Sequence, residues 1–141
     1  METKILVPVD GSKTSAKTVD ALIARKERFP AVLTLLHVVD LERLAYRMIP
    51  DFQVAMVREH SRRAGEQLLE SYRKLFDNAG MATELRLEFG SPRELICHIA
   101  NDEQYELLIL GRRGLGEIRD VLFGSVANHA LHHVRCPVLM F

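Results

Sequence analysis

Five short β-rich runs punctuate this sequence, and a stretch of helical periodicity separates each from the next. Ile5-Leu6-Val7-Pro8-Val9, Val32 to Val39 and Tyr105 to Leu110 are apolar almost throughout. Continuous apolarity suits strands buried on both faces, as in a parallel sheet whose crossovers lay helices above and below it. Glu84-Leu85-Arg86-Leu87-Glu88-Phe89 alternates strictly, which suits an edge strand with one wet face. Pro137-Val138-Leu139-Met140-Phe141 opens on a proline, and prolines are confined to sheet edges. The first and fourth runs are the most apolar and belong in the middle. The fold class predicted is α/β: a single-domain open five-stranded parallel sheet over residues 1–141, order 3-2-1-4-5, with helices on both faces and right-handed crossovers.

The helical segments carry their own punctuation. Ser12 can cap a first helix whose stripe is Ala16, Val19, Leu22 and Ile23. A long second helix has Val54, Val57, Ser61, Ala64, Leu68, Tyr72, Leu75 and Ala79 on one face, and Gly80 closes it as a left-handed cap. Its outer face interleaves both signs (Arg58, Glu59, Arg62, Arg63, Glu66), the pattern of a solvated surface. Ser91-Pro92-Arg93-Glu94 is a capping box with proline at the first helical position, ahead of Leu95, Ile96, Ile99 and Ala100. A last helix, Ser125 to Val134, would bury Val126, Ala127, Ala130, Leu131 and Val134. Asp40 to Gln53 is the least patterned stretch.

Several functions are excluded by composition. The 19 Lys+Arg balance 19 Asp+Glu, so the basic surplus of a nucleic-acid binder is missing. No apolar run approaches a membrane span, and the start lacks a signal-peptide pattern, which predicts a cytoplasmic protein with no membrane partner. Cys97 and Cys136 have no CxxC partner and read as reduced structural residues. His129 and His133 stand four apart, a spacing that can hold zinc, but no Cys or carboxylate on that helix completes the set, so no metal site is expected. Ser12 and Ser125 lack His-Asp partners, so no catalytic residue is assigned.

The proposed strand order reverses direction between the first and fourth strands. Open α/β sheets bind ligands at the carboxyl ends of strands beside such a switch point. Asp10-Gly11-Ser12 and the segment after Leu110 fall there. That segment runs Gly111-Arg112-Arg113-Gly114-Leu115-Gly116 and reaches Gly124-Ser125, a G-x2-G-x9-G-S spacing. Glycines at a strand end permit positive φ and close ligand approach. A helix start offers free N–H groups and a positive dipole end, both suited to phosphate. No glycine is followed by lysine, so this is no Walker P-loop, and Arg119 stands where a dinucleotide fingerprint needs its third glycine. The residues alone predict an anion or nucleotide site.

With Ile5 to Ser12, Leu36-His37-Val38-Val39, the glycine signature through Ser125-Val126-Ala127, and Cys136-Pro137-Val138-Leu139, the whole chain resembles the universal stress protein family in its ATP-binding branch. The resemblance implies an adenine nucleotide as ligand: ATP, with Mg²⁺ as its accompanying ion. Pro8, Val9 and Asp10 would close the first strand on the ribose or base, and backbone atoms of Val38 would receive the adenine edge. Gly111, Gly114, Gly124 and Ser125 would hold ribose and phosphates, with a backbone N–H from Val126. Arg112 and Arg113 stand at positions variable in the family, so a phosphate contact from Arg113 is an expectation of this sequence alone. It also implies a homodimer through residues 137–141, where the last strand would otherwise be an unpaired apolar edge. The function implied is a nucleotide-dependent regulatory protein of the stress response, with at most weak hydrolysis, because the signature brings no Walker lysine and no evident base. A slow ATPase or phosphotransferase, a nucleotide-independent interaction module, and a flavin protein on a similar sheet are the alternatives.

Overall fold

Ile5, Leu6 and Val7 are almost wholly excluded from solvent, and the strand they form, β1 (Ile5–Pro8), is the centre of the sheet. The computed structural model describes residues 3–40, 51–111 and 125–141. Along them run β1, α1 (Lys13–Ala24), a 3-10 turn at Lys26–Arg28, β2 (Leu33–Asp40), α2 (Asp51–Asn78), β3 (Thr83–Gly90), α3 (Pro92–Asp102), β4 (Leu107–Leu110), α4 (Ser125–His133) and β5 (Val138–Met140). The sheet order is β3-β2-β1-β4-β5, and every pairing is parallel. The alternating run is the β3 edge and the proline-led run the β5 edge, as the sequence predicts.

Period-2 side-chain alternation splits the strands between two cores. On one face Ile5, Val7, Val9, Leu33, Leu35 and Ile109 meet Val19 and Leu22 of α1 and Leu69, Tyr72 and Phe76 of α2. On the other, Leu6, Leu36, Leu108 and Leu110 meet Ile96, Ile99 and Ala100 of α3 and Ala127 and Ala130 of α4. Phe76 is fully buried, so truncating it to alanine removes roughly 3–5 kcal/mol.

The helix ends obey backbone accounting. Past α2, the Gly80 N–H donates to the Asp77 carbonyl (3.0 Å) and the Met81 N–H to the Phe76 carbonyl (2.9 Å), with Gly80 at φ 79°. This Schellman closure adds the buried Met81 and Phe76 to one core, and Gly80 is the left-handed cap expected. The end of α3 is built alike but without glycine. Gln104 takes φ 55°, and the Tyr105 N–H donates to the Ala100 carbonyl at 3.0 Å, so β4 begins at Leu107 rather than Tyr105.

Some expected stripes are one residue out of phase. Ala16 is exposed and Ser15 is buried in its place. Ala64 and Leu75 face outward while Gly65 and Phe76 face the sheet, because the stripe advances at 3.6 residues per turn through Ser61, Gly65, Leu69, Tyr72 and Phe76. Leu131 stands 46% exposed, since Ala127 and Ala130 already set the face that α4 turns inward. Ser91 caps α3 ahead of Pro92, but its side chain makes no capping bond; the Ser91 carbonyl accepts from the Leu95 N–H instead (2.8 Å). Of the weakly patterned stretch, Asp40 ends β2 and α2 starts at Asp51.

Candidate functional site

Strand β1 stops at Pro8, and β4 stops at Leu110 beside it. The chain leaves these neighbours for helices on opposite faces of the sheet, which opens a crevice between them. Its volume is about 430 Å³, inside the range of about 300–1,000 Å³ typical of small-molecule sites. Of the residues expected from the sequence, Pro8, Val9, Asp10, Val38, Gly111 and Val126 all line it. Ser125 is the first residue of α4, whose next two residues, Val126 and Ala127, form one wall. Arg113, Gly114 and Gly124 lie outside the described residues. A hollow of about 690 Å³ at the opposite end of the strands, between Thr3, Pro30 and Met81, is lined by none of the expected residues that are described.

The crevice is divided. Pro8, Leu36, Val38, Pro92, Ile96 and Val126 make an apolar slot, while Asp10, Ser12, Thr14, Ser15 and Gly111 make a polar end. Asp10 is its only ionisable lining residue among those described. The Asp10 N–H donates to Ser15 Oγ (2.8 Å), and Asp10 Oδ1 accepts from the Ser12 N–H (2.8 Å) and the Ser15 hydroxyl (3.0 Å). Behind, the Tyr72 hydroxyl of α2 donates to the Asp10 carbonyl at 3.1 Å. Burial pushes the Asp10 carboxyl up, but donors on Ser12 and Ser15 and the nearby His37 outweigh it and hold the group below its usual value. Burial, then the charges of Asp10 and Asp20, push the Tyr72 phenol up, so it stays a donor. An ionised carboxylate at the mouth of an apolar slot is an acceptor for hydroxyl or amine donors.

Gly111 has a packing role beside its place in the lining. It does not adopt positive φ. A Cβ there would come within 2.5 Å of Thr14 Cγ2 and closer still to Thr18 Oγ1. The missing side chain therefore lets the end of β4 lie against the first turn of α1, which carries Ser12 and Ser15 to Asp10. Ser12 also caps that helix by accepting from the Ser15 N–H at 3.2 Å.

The end of β2 is unusual. In a parallel ladder the Val9 N–H bonds the Leu36 carbonyl, and the next rung runs from the Val38 N–H back to the Val9 carbonyl. The first bond is present at 2.8 Å. The second is absent among the described residues, and β1–β2 pairing ends at Pro8 opposite Leu36. The Val9 carbonyl instead accepts from His37 Nδ1 at 2.9 Å. Val38 lines the crevice, and the alternation of the ladder turns its N–H and carbonyl to the β1 side.

Sequence reasoning missed Ser15, Thr14, Pro92 and Ile96 in the lining and Tyr72 and His37 behind it. A serine three residues past a cap and a histidine inside an apolar strand were the signals available. Elsewhere, the rings of His129 and His133 stack 4.0 Å apart at 17°, and the His129 carbonyl is 2.8 Å from His133 Nδ1. Stacked rings direct their nitrogens alongside one another rather than onto one point. Among the described residues no group of three or more metal-ligating side chains occurs, and no helix is long and apolar enough to cross a membrane.

A sequence profile of the universal stress protein family matches residues 1–141. The chain belongs to that family. A universal stress protein relative from Staphylococcus aureus strain USA300 is 32% identical over 138 residues, spanning 96% of this chain and 81% of its own. Among solved structures, the hypothetical protein MJ0577, the subject of a structure-based assignment of biochemical function, superposes with a TM-score of 0.83 at 26% identity, covering 99% of this chain and 95% of that one. Universal stress protein UspA from Lactobacillus plantarum shares the fold with a TM-score of 0.82 at 22% identity, covering 99% and 97%. Two further universal stress proteins of this fold were solved with nucleotides: one from Arabidopsis thaliana with AMP (TM-score 0.70, 21% identity, covering 99% and 90%) and one in complex with cAMP (0.66, 20%, covering 99% and 96%).

Proposed function

We propose that this universal stress protein binds an adenine nucleotide, ATP with Mg²⁺ as its accompanying ion, in the crevice between β1 and β4. The carrying observation is the pairing of an apolar slot with a Val38 backbone edge that has no β1 partner among the described residues. Adenine is flat and apolar on its faces, and its edge places an amine donor beside a ring-nitrogen acceptor. The Val38 carbonyl and N–H complement that pair. Asp10 faces the ribose hydroxyls, for which an ionised carboxylate is an acceptor, while its charge turns the phosphates away toward the start of α4. There the first N–H groups of the helix, the Ser125 hydroxyl and the signature residues Arg113, Gly114 and Gly124 receive them. The nucleotides bound by the Arabidopsis and cAMP-complexed relatives support the ligand class.

The site favours binding over turnover. Asp10 is a weak base because donors already hold it ionised. The nucleotide then acts by differential affinity for two conformations or assemblies, in a stress-response homodimer joined through residues 137–141. Calorimetric titration with ATP, with and without Mg²⁺, tests the reading. Saturable binding that Gly124→Val abolishes while thermal stability is kept supports it. No heat up to millimolar ATP, from protein carrying no retained nucleotide, overturns it.

A further inference from the structure

We infer that His37 is a positioning residue of the ligand site: by taking the Val9 carbonyl, it keeps the Val38 N–H out of the sheet ladder and open to the ligand. Three observations join here. His37 Nδ1 stands 2.9 Å from the Val9 carbonyl, and a carbonyl only accepts, so Nδ1 carries the proton. The Val38 N–H, which a regular parallel ladder would spend on that carbonyl, has no backbone partner across to β1. Val38 lines the crevice.

The fold makes room for the device. A Cβ on Gly65 of α2 would lie 2.8 Å from His37 Cδ2 and 2.6 Å from Leu87 Cδ1, so the helix approaches the ring over a glycine. The ring cannot swing away from Val9 without meeting that helix. Ordinarily an unpaired backbone N–H is a liability. Here its cost is offset by the His37–Val9 bond and by its access to water in the free crevice and to the ligand in the complex. The same substitution of partners ends β1 at Pro8, opposite Leu36. His37 acts through Val9 and Val38 and not by touching the ligand.

The test uses amide hydrogen exchange on the free protein together with ATP titration. His37→Leu fills a similar volume and removes the donor. The freed Val9 carbonyl then captures the Val38 N–H, so the Val38 amide exchanges at least about tenfold more slowly than in the native protein, while ATP binds about tenfold more weakly. His37→Asn sets an amide N–H near the position of Nδ1 and restores both values. A purely structural histidine would give the opposite sign, with faster exchange at Val38 as the site loosens. The inference is overturned if native Val38 is already as protected as Leu36, or if His37→Leu leaves its exchange unchanged or faster. Only the affinity arm rests on the nucleotide reading. If native protein binds no ATP while the exchange pattern holds, that reading fails and the role of His37 in opening the strand stands.

Discussion

Replacing Gly111 by alanine adds one methyl group where the structure has none to spare. The new Cβ would sit 2.5 Å from Thr14 Cγ2, 3.1 Å from the Thr14 carbonyl oxygen and still nearer Thr18 Oγ1. Thr18 cannot simply rotate away, because its hydroxyl donates to the Thr14 carbonyl at 2.9 Å and the residue is 2% exposed. Part of the clash is with backbone, so α1 must shift from β4. Overpacking of this kind costs about 1–3 kcal/mol. With an unfolding entropy near 2.1 cal/mol/K per residue, that is a fall in Tm of about 3–10 °C for a chain of this length. Gly11 is the internal control: a Cβ there meets nothing within 4 Å, so Gly11→Ala should stay within about 0.5 kcal/mol of the native protein. Thermal unfolding followed by circular dichroism, with calorimetry on both variants, reads the difference. If Gly111→Ala melts within about 2 °C of native, or Gly11→Ala falls equally far, the packing role given to Gly111 is wrong.

Gln104 adopts a left-handed conformation that costs a side chain about 1–2 kcal/mol, and glycine returns about half of that as backbone entropy, so Gln104→Gly should raise stability by about 0.5–1 kcal/mol in urea unfolding. Gly80→Ala, the reverse exchange at the end of α2, should lower it by about 1 kcal/mol in the same assay. The native Asp10 carboxyl lies below its ordinary 3.8, so its contribution to stability is complete above that value and is lost as pH falls through the lower folded value. The stability gap between native protein and Asp10→Asn should therefore narrow on acidification below pH 3.8, and a gap constant from neutral pH to pH 2 would contradict the shift. The β5 edge, which no further strand pairs among the described residues, predicts a dimer in sedimentation equilibrium, and a monomer at every concentration up to the solubility limit would remove residues 137–141 as an interface.

The sheet was legible because burial on two faces leaves a coarse mark: unbroken apolar runs in the centre, alternation at β3, proline ahead of β5. Helix phase was not. Ser15 is buried although hydropathy places serine outside, because Asp10 spends its hydroxyl in both directions. Gly65 is buried because a ring and a leucine occupy the space its side chain would take. Neither reason exists until α1 and α2 lie on the sheet. The candidate site divides the same way. Asp10, Gly111 and Val126 could be found by their place after strands or at a helix start. Tyr72 and His37 reach the site across 62 and 28 residues of chain, and their spacing in sequence carries no trace of it.

In the proposed function, adenine is read by the open end of β2 and ribose by the end of β1. Backbone amide NMR of the native protein during titration with ATP and Mg²⁺ tests it most directly. Saturable shifts centred on Val38, Asp10, Gly111 and Val126 are expected, with the Val38 N–H moving downfield as it gains an acceptor, and none around Pro30 to Ala31 at the opposite end of the sheet. Saturable shifts centred on that opposite end, or a Val38 amide that stays still while ATP binds, would contradict it.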